Sequence, residues 1–161
     1  IPLRLVGSEM CIRDRDIGGE VIINGTNKSN AWVIGIQDPR NQLDKPFFLV
    51  SNDKSNFLAI ATSGEYRNYR YDNDKLVTHT FDPFTKKSIS GNLESITIIS
   101  QNSATIADAY ATAVNVMGFE RGLDFVNTNG IAALFIINEE GELKSIKSQK
   151  WYDLELWSKL Y

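Results

Sequence analysis

The chain has 161 residues, of which 42% are hydrophobic, with one cysteine and a formal net charge of −3. This length suits one domain large enough to bury its own core. A mildly acidic composition argues against nucleic acid or an anionic membrane as a partner. No apolar run in the sequence approaches the roughly 18 residues of a membrane span.

The first 15 residues do not fit the sequence that follows. The codons GAG ATG TGT ATA AGA GAC AGA encode residues 9–15 and resemble a transposase adapter from sequencing libraries. We therefore expect residues 1–15 to be non-native, with the native chain resuming near Asp16; the alternative is a genuine strand over residues 1–6. Without this segment the chain has a net charge of −4 and no cysteine, because Cys11 lies within it. Disulfide, thiolate and cysteine-metal chemistry are then excluded.

Apolar and β-branched stretches predict the strands of the first two thirds of the chain. The predicted strands are residues 21–24, 31–36, 46–51, 56–62, 75–81 and 95–100. The Asn24-Gly25 step and the polar residues through Asn30 predict a hairpin that connects the first two of them.

Residues 103–118 predict a helix that ends at Gly118. Its apolar stripe, at helical spacing, is Ile106, Tyr110, Val114 and Met117. Further along, the sequence predicts a short helix at 120–127, a hairpin of strands 130–138 and 143–146, and a strand or short helix at 151–157. Hairpin strands followed by clustered helices indicate an α+β fold, a mainly antiparallel sheet with a few helices packed on it.

Asp108 and Thr112 are unusual residues for the interior of the predicted helix, since neither favours helical backbone. Four residues apart, they project from the same helix face. The alanines around them allow other backbone to approach closely. A carboxylate beside a hydroxyl suits a hard cation such as Mg²⁺. The alternative is an aspartate in the first helical turn, favoured by the helix dipole, with an incidental threonine.

Four stretches of the sequence resemble the motifs of one known family. They are Asp16-Ile-Gly-Gly-Glu20, Ala61-Thr-Ser-Gly-Glu-Tyr-Arg67, His79-Thr-Phe-Asp-Pro-Phe-Thr85 and Ala107-Asp-Ala-Tyr-Ala-Thr112. In this order they resemble the patterns D-x-G-G-E, A-T-S-G-x-Y-R, H-x-x-D-P-x-T-G and A-D-A-x-x-T of the ApbE family, the FAD:protein FMN transferases. The resemblance covers about residues 16–150 and corresponds to the C-terminal half of the family.

The resemblance implies Mg²⁺-dependent transfer of FMN from FAD to a Thr or Ser hydroxyl of a target protein, such as a membrane redox-pump subunit. Asp108 and Thr112 occupy the family's metal-ligand positions. His79 is expected to act as a general base toward the incoming hydroxyl, a role that imidazole suits near neutral pH. The alternative for His79 is a structural hydrogen bond within its turn.

Four further residues are candidate contacts of FAD. Ser63, Gly64 and Arg67 follow a predicted strand, where backbone N–H groups and a guanidinium can receive phosphate. Phe81 is a candidate contact of the flavin ring. The alternatives are a tight turn with a solvated arginine and a phenylalanine buried in the core.

Two positions depart from the family pattern. Lys86 replaces the glycine that follows the turn threonine, so the turn is expected to differ in shape. Ala111 stands where some relatives carry a second carboxylate before the threonine. One acidic ligand implies weaker metal affinity.

The family's N-terminal half supplies much of the FAD pocket and a backbone carbonyl to the metal. The sequence contains no counterpart of that half, so we expect a C-terminal fragment that is inactive alone. Two other functions remain open: an FAD pyrophosphatase, in which water replaces the protein hydroxyl, and a flavin-binding module without chemistry. The family implies a location in the cell envelope or periplasm, in some members as a lipoprotein.

Overall fold

The computed structural model describes residues 12–17, 20–25, 31–40, 46–52, 57–64, 69–72, 75–78, 81–83, 86, 89 and 91–160. The strands in these ranges are β1 (Ile12–Ile17), β2 (Glu20–Gly25), β3 (Trp32–Gln37), β4 (Pro46–Asn52), β5 (Leu58–Gly64), β6 (Tyr69–Asp72), β7 (Lys75–Thr78), β8 (Leu93–Ser100), β9 (Ala132–Glu139), β10 (Glu142–Lys147) and β11 (Trp157–Leu160). The helices are α1 (Ala104–Met117), α2 (Phe119–Thr128) and α3 (Gln149–Asp153).

The strands form one large sheet and two small ones. The large sheet has six strands in the order β1-β2-β5-β8-β9-β10. The small sheets are β11-β4-β3 and the hairpin β6-β7. Every neighbouring pair is antiparallel. The predicted α+β class with a mainly antiparallel sheet is confirmed.

The six-stranded sheet is covered on both faces. Alternate residues of β5, β8 and β9 pack against α1 and α2 on one side, and the intervening residues pack against β3, β4 and α3 on the other. Strand β9 is therefore apolar at every position from Ala132 to Ile137, since neither face meets water. The two cores fix the position of α1 on the sheet.

Helix α1 begins and ends within one residue of its predicted bounds, 103 and 118. The Ser103 hydroxyl caps the helix by accepting a hydrogen bond from the Ile106 N–H at 3.3 Å. Gly118 ends it with a φ of 76°, and its N–H bonds back to the Val114 carbonyl at 3.1 Å. Of these two local interactions, the sequence analysis predicted the terminal glycine and not the serine cap.

The predicted apolar stripe of α1 is wrong in part. Val114 is buried, but Ile106 is 49% exposed and borders a shallow surface groove together with Tyr110. The residues that pack on the sheet are instead Ala107, Ala111, Val114 and Asn115. The sheet-facing side of α1 carries small side chains because these let the helix axis come close to β5 and β8.

The predicted hairpin between the first two strands is also wrong. β2 pairs with β1 and β5 in the large sheet, whereas β3 pairs with β4 in another. An Asn-Gly step enforces a hairpin when it alone joins two strands, and here further residues separate them. The predicted β9-β10 hairpin is confirmed, with Glu140 and Gly141 at φ of 54° and 89°. The tail forms both a helix, α3, and a strand, β11.

Strand β1 begins at Ile12 and crosses the expected boundary of the native chain at residue 16. Residues 1–11 lie outside the described ranges. Among the helices that the structure describes, none combines the length and apolarity that crossing a bilayer requires.

Candidate functional site

Asp108 and Thr112 are both exposed on α1, one helical turn apart. The helix begins at Ala104 and has no acidic residue in its first turn. Asp108 lies beyond that turn, so the alternative of a first-turn aspartate held by the helix dipole is wrong. The helix dipole therefore does not explain the presence of Asp108 in this helix.

The residue before each member of the pair is buried against the sheet. Ala107 is 0% exposed and Ala111 is 1% exposed, and both belong to the core that includes Ala61 of β5. These alanines hold the helix backbone close to the sheet. The carboxylate and the hydroxyl are therefore exposed side chains on a helix whose position beside the sheet is fixed.

Two neighbours of α1 define which way the pair faces. The Tyr110 ring lies 6.0 Å from the Phe125 ring of α2, and α2 covers β9. Asp108 lies about 160° around the helix from Tyr110, since each residue turns the helix by about 100°. In the sheet order β2-β5-β8-β9, the side away from α2 is the side of β5 and β2. Asp108 and Thr112 therefore face the β2 side.

Ser63 and Gly64 end β5 next to this region. Ser63 pairs with Ile96, which belongs to the core under α1, so Ser63 is on the helix-covered face. Gly64 pairs with Ser95 on the opposite face. The β2-β5 ladder stops at the Val21–Ile60 pair, so the last residues of β5 extend past it. The structure thus brings Ser63 to the same face as Asp108 and Thr112.

The remaining candidate residues are less defined. Phe81 is 51% exposed, so the alternative of a core phenylalanine is wrong, and its proposed contact with flavin stays a prediction. His79 and Arg67 lie outside the described residues. Their roles as general base and phosphate ligand also stay predictions.

The oxygen atoms of the pair are available to a ligand. Across the described ranges, no hydrogen bond or ion pair engages the Asp108 carboxylate or the Thr112 hydroxyl. Those ranges also contain no group of three or more His, Cys, Asp or Glu residues placed to hold a metal. One carboxylate and one hydroxyl fit Mg²⁺, which keeps several waters and binds phosphates in addition to few protein ligands.

Asn115 is a polar residue of this region that the sequence analysis missed. It lies on α1 one turn beyond Thr112, is 2% exposed, and in the described part of the chain neither its amide nitrogen nor its amide oxygen has a hydrogen-bond partner. An unpaired buried amide costs about 1–3 kcal/mol. The signal in the sequence was an asparagine between Val114 and Val116.

Lys86 has the left-handed backbone conformation that glycine usually adopts. Its φ is 55°, and its N–H donates a hydrogen bond to the Asp82 carbonyl at 2.8 Å. The change of turn shape expected from the loss of glycine is therefore not seen at this residue. The lysine instead carries the strain of a left-handed conformation.

Lys86→Gly is expected to raise the free energy of unfolding by about 0.5–1 kcal/mol, because removal of the left-handed strain outweighs the extra entropy of glycine in the unfolded chain. Urea unfolding of the full chain measures the change. Lys86→Ala is the control, since alanine keeps the strain and should gain nothing. Equal stability of the glycine and alanine variants would contradict the explanation.

Comparison with known proteins places these features in a family. A sequence profile described as the ApbE family matches residues 16–135. The FAD:protein FMN transferase of Vibrio cholerae is 33% identical over 138 residues, which cover 84% of this chain and 40% of that protein. The corresponding protein of Salmonella typhimurium is 35% identical over 127 residues, covering 78% of this chain and 35% of its own length.

Solved structures give the same result. The apo flavinyl transferase ApbE of Pseudomonas stutzeri superposes with a TM-score of 0.70 at 31% identity and covers 86% of this chain and 42% of that one. The ApbE protein of Thermotoga maritima superposes with a TM-score of 0.72 at 30% identity and covers 89% and 45%. The chain therefore spans less than half the length of these relatives.

Proposed function

The chain belongs to the ApbE family, and on this premise we propose that it carries the metal-binding part of an enzyme that transfers FMN from FAD to a Thr or Ser hydroxyl of a target protein. The activity named for the relatives supports flavin transfer. The acceptor in this proposal is a protein of the cell envelope, such as a redox-pump subunit.

The observation that carries the proposal is the position of Asp108 and Thr112. Two oxygen-bearing side chains without partners in the described residues share one face of α1, and buried alanines fix that helix on the sheet. Mg²⁺ at phosphate-transfer sites is commonly bound by few protein oxygens together with phosphate oxygens of the substrate. Asp108 and Thr112 would hold it.

The reaction exchanges one phosphorus–oxygen bond for another. The acceptor hydroxyl oxygen bonds to the phosphorus of the FMN half of FAD, and the bond to the AMP half breaks. AMP leaves with the bonding electron pair, and His79 takes the hydroxyl proton and returns it to solvent. When bound, Mg²⁺ supplies charge neutralisation at the diphosphate oxygens. Ser63, which pairs with Ile96 on the helix-covered face, is the residue proposed to contact phosphate.

A hybrid enzyme tests the proposal, because this chain spans 40% of the Vibrio cholerae relative. In the hybrid, residues 16–161 of this chain replace the matching region of that relative. Incubation with FAD, Mg²⁺ and an acceptor peptide should give peptide with covalent FMN and one AMP per FMN, detected by mass spectrometry. Free FMN and AMP without modified peptide would instead indicate a pyrophosphatase. No reaction, with FAD still bound, would indicate a non-catalytic flavin-binding module.

The 161-residue chain alone is proposed to be inactive and to bind Mg²⁺ and FAD weakly, since it spans 40% or less of the length of its curated relatives. Calorimetric titration with FAD measures this. Micromolar affinity for FAD would contradict the proposal.

A further inference from the structure

The motif Asp16-Ile-Gly-Gly-Glu20 contributes to the family resemblance but has no role in the site as described so far. Its last residue, Glu20, is the first residue of β2. Glu20 is half-buried, although glutamate is usually exposed. It also starts a strand that lies beside the helix with the metal-ligand candidates.

The alternation of side chains along β2 determines the face on which Glu20 lies. Ile22 packs against the core beneath α1, whereas Ile23 belongs to the core on the opposite face. Side chains two apart share a face, so Glu20 is on the α1 side with Ile22. Glu20 is thus on the face of the sheet that carries the helix.

The strand register gives the position of Glu20 along the helix. Val21 pairs with Ile60 in the last pair of the β2-β5 ladder, and Glu20 directly precedes Val21, so Glu20 lies just past the end of the ladder, on the side of Ala61. Ala61 shares a core with Ala107 and Ala111, the residues that precede Asp108 and Thr112. Helix α1 also contacts β2 directly. Glu20 therefore lies on the α1-covered face near the Ala61 end of β5, on the side toward which the pair faces.

We propose that Glu20 supplies the second carboxylate of the cation site, facing Asp108 and Thr112 from β2; this inference rests on the metal role in the proposed function. Mg²⁺ commonly takes one or two carboxylates together with phosphate oxygens and water. The position before Thr112 does not provide the second one, because Ala111 has no carboxylate and its side chain is buried against the sheet. Within the described residues the Glu20 carboxylate has no hydrogen bond or ion pair, so it is available.

Paramagnetic broadening by Mn²⁺ tests the inference on the full ¹⁵N-labelled chain, because it detects weak binding. Amide signals around Asp108, Thr112 and Glu20 should broaden first, and a Mg²⁺ titration of the same signals gives Kd. Asp108→Asn should abolish the effect, and Glu20→Gln should raise Kd by about 10-fold or more. Glu20→Asp, which keeps the charge on a shorter side chain, should fall between wild type and Glu20→Gln.

Glu142→Gln is the matched control, since Glu142 is the exposed first residue of β10 at the far edge of the same sheet and should leave Kd unchanged. The double variant of Glu20 and Asp108 should bind no more weakly than Asp108→Asn alone, because both residues act on one cation. A wild-type Kd in Glu20→Gln, with binding lost in Asp108→Asn, would overturn the role of Glu20 and leave the proposed function standing. Broadening centred away from α1 would contradict the metal role itself, and the role of Glu20 with it.

Discussion

Asp108→Asn in the hybrid enzyme is expected to lower the rate of FMN transfer by about 100-fold or more, because a bound cation contributes several kcal/mol to the stabilisation of a phosphoryl transition state. The substitution keeps the size of the side chain and removes the charge. Since Asp108 is exposed on α1, the fold should be unaffected. The rate of AMP release at saturating FAD measures the loss, and a high Mg²⁺ concentration should restore part of it.

Asp124→Asn is the matched control, since Asp124 is exposed on the neighbouring helix α2. Its activity should equal that of the unsubstituted hybrid. An Asp108→Asn variant with full activity, or one whose loss no concentration of Mg²⁺ reduces, would remove the support for a metal role of this residue.

Ala107→Leu is expected to lower the free energy of unfolding by about 1–3 kcal/mol, because the larger side chain has no room between α1 and the sheet. Ala107 is fully buried in a core with Ala59 and Ile98. The helix can accommodate leucine only by moving outward, which displaces Asp108 and Thr112 as well. Affinity for Mn²⁺ should therefore fall together with the midpoint of thermal unfolding.

Ala109→Leu adds the same atoms to an exposed position of the same helix. Its stability should change by no more than about 0.5 kcal/mol, and its affinity for Mn²⁺ should not change. If both leucine variants were equally stable, the close packing of α1 on alanines would not be what positions the polar pair.

Local signals in the sequence predicted the parts of the fold that local interactions create. The terminal glycine set the predicted end of α1 to within one residue of the structure, and the predicted hairpin of strands 130–138 and 143–146 is the β9-β10 hairpin. The polar pair was equally visible, because an aspartate and a threonine four apart in an alanine-rich helix need no tertiary information. These predictions depend on neighbouring residues only.

The parts that the sequence did not predict depend on residues far apart in the chain. β3 does not pair with β2, because it pairs with β4 in another sheet. That sheet packs against the large one through a core of residues that are distant in the sequence. The buried face of α1 was misassigned because hydrophobic periodicity selects large apolar residues, whereas close approach to a sheet selects small ones. The sequence analysis named Glu20 only as part of a motif, since its place on the α1 side of the sheet follows from the pairing of β2 with β5.

Anomalous diffraction from crystals of the hybrid enzyme grown with Mn²⁺ and FAD is the most direct measurement of the central claim. A manganese peak is predicted about 2.0–2.2 Å from an Asp108 carboxylate oxygen and from the Thr112 hydroxyl, in contact with the diphosphate. A manganese ion bound to the diphosphate but to neither of these side chains would contradict the metal site on α1.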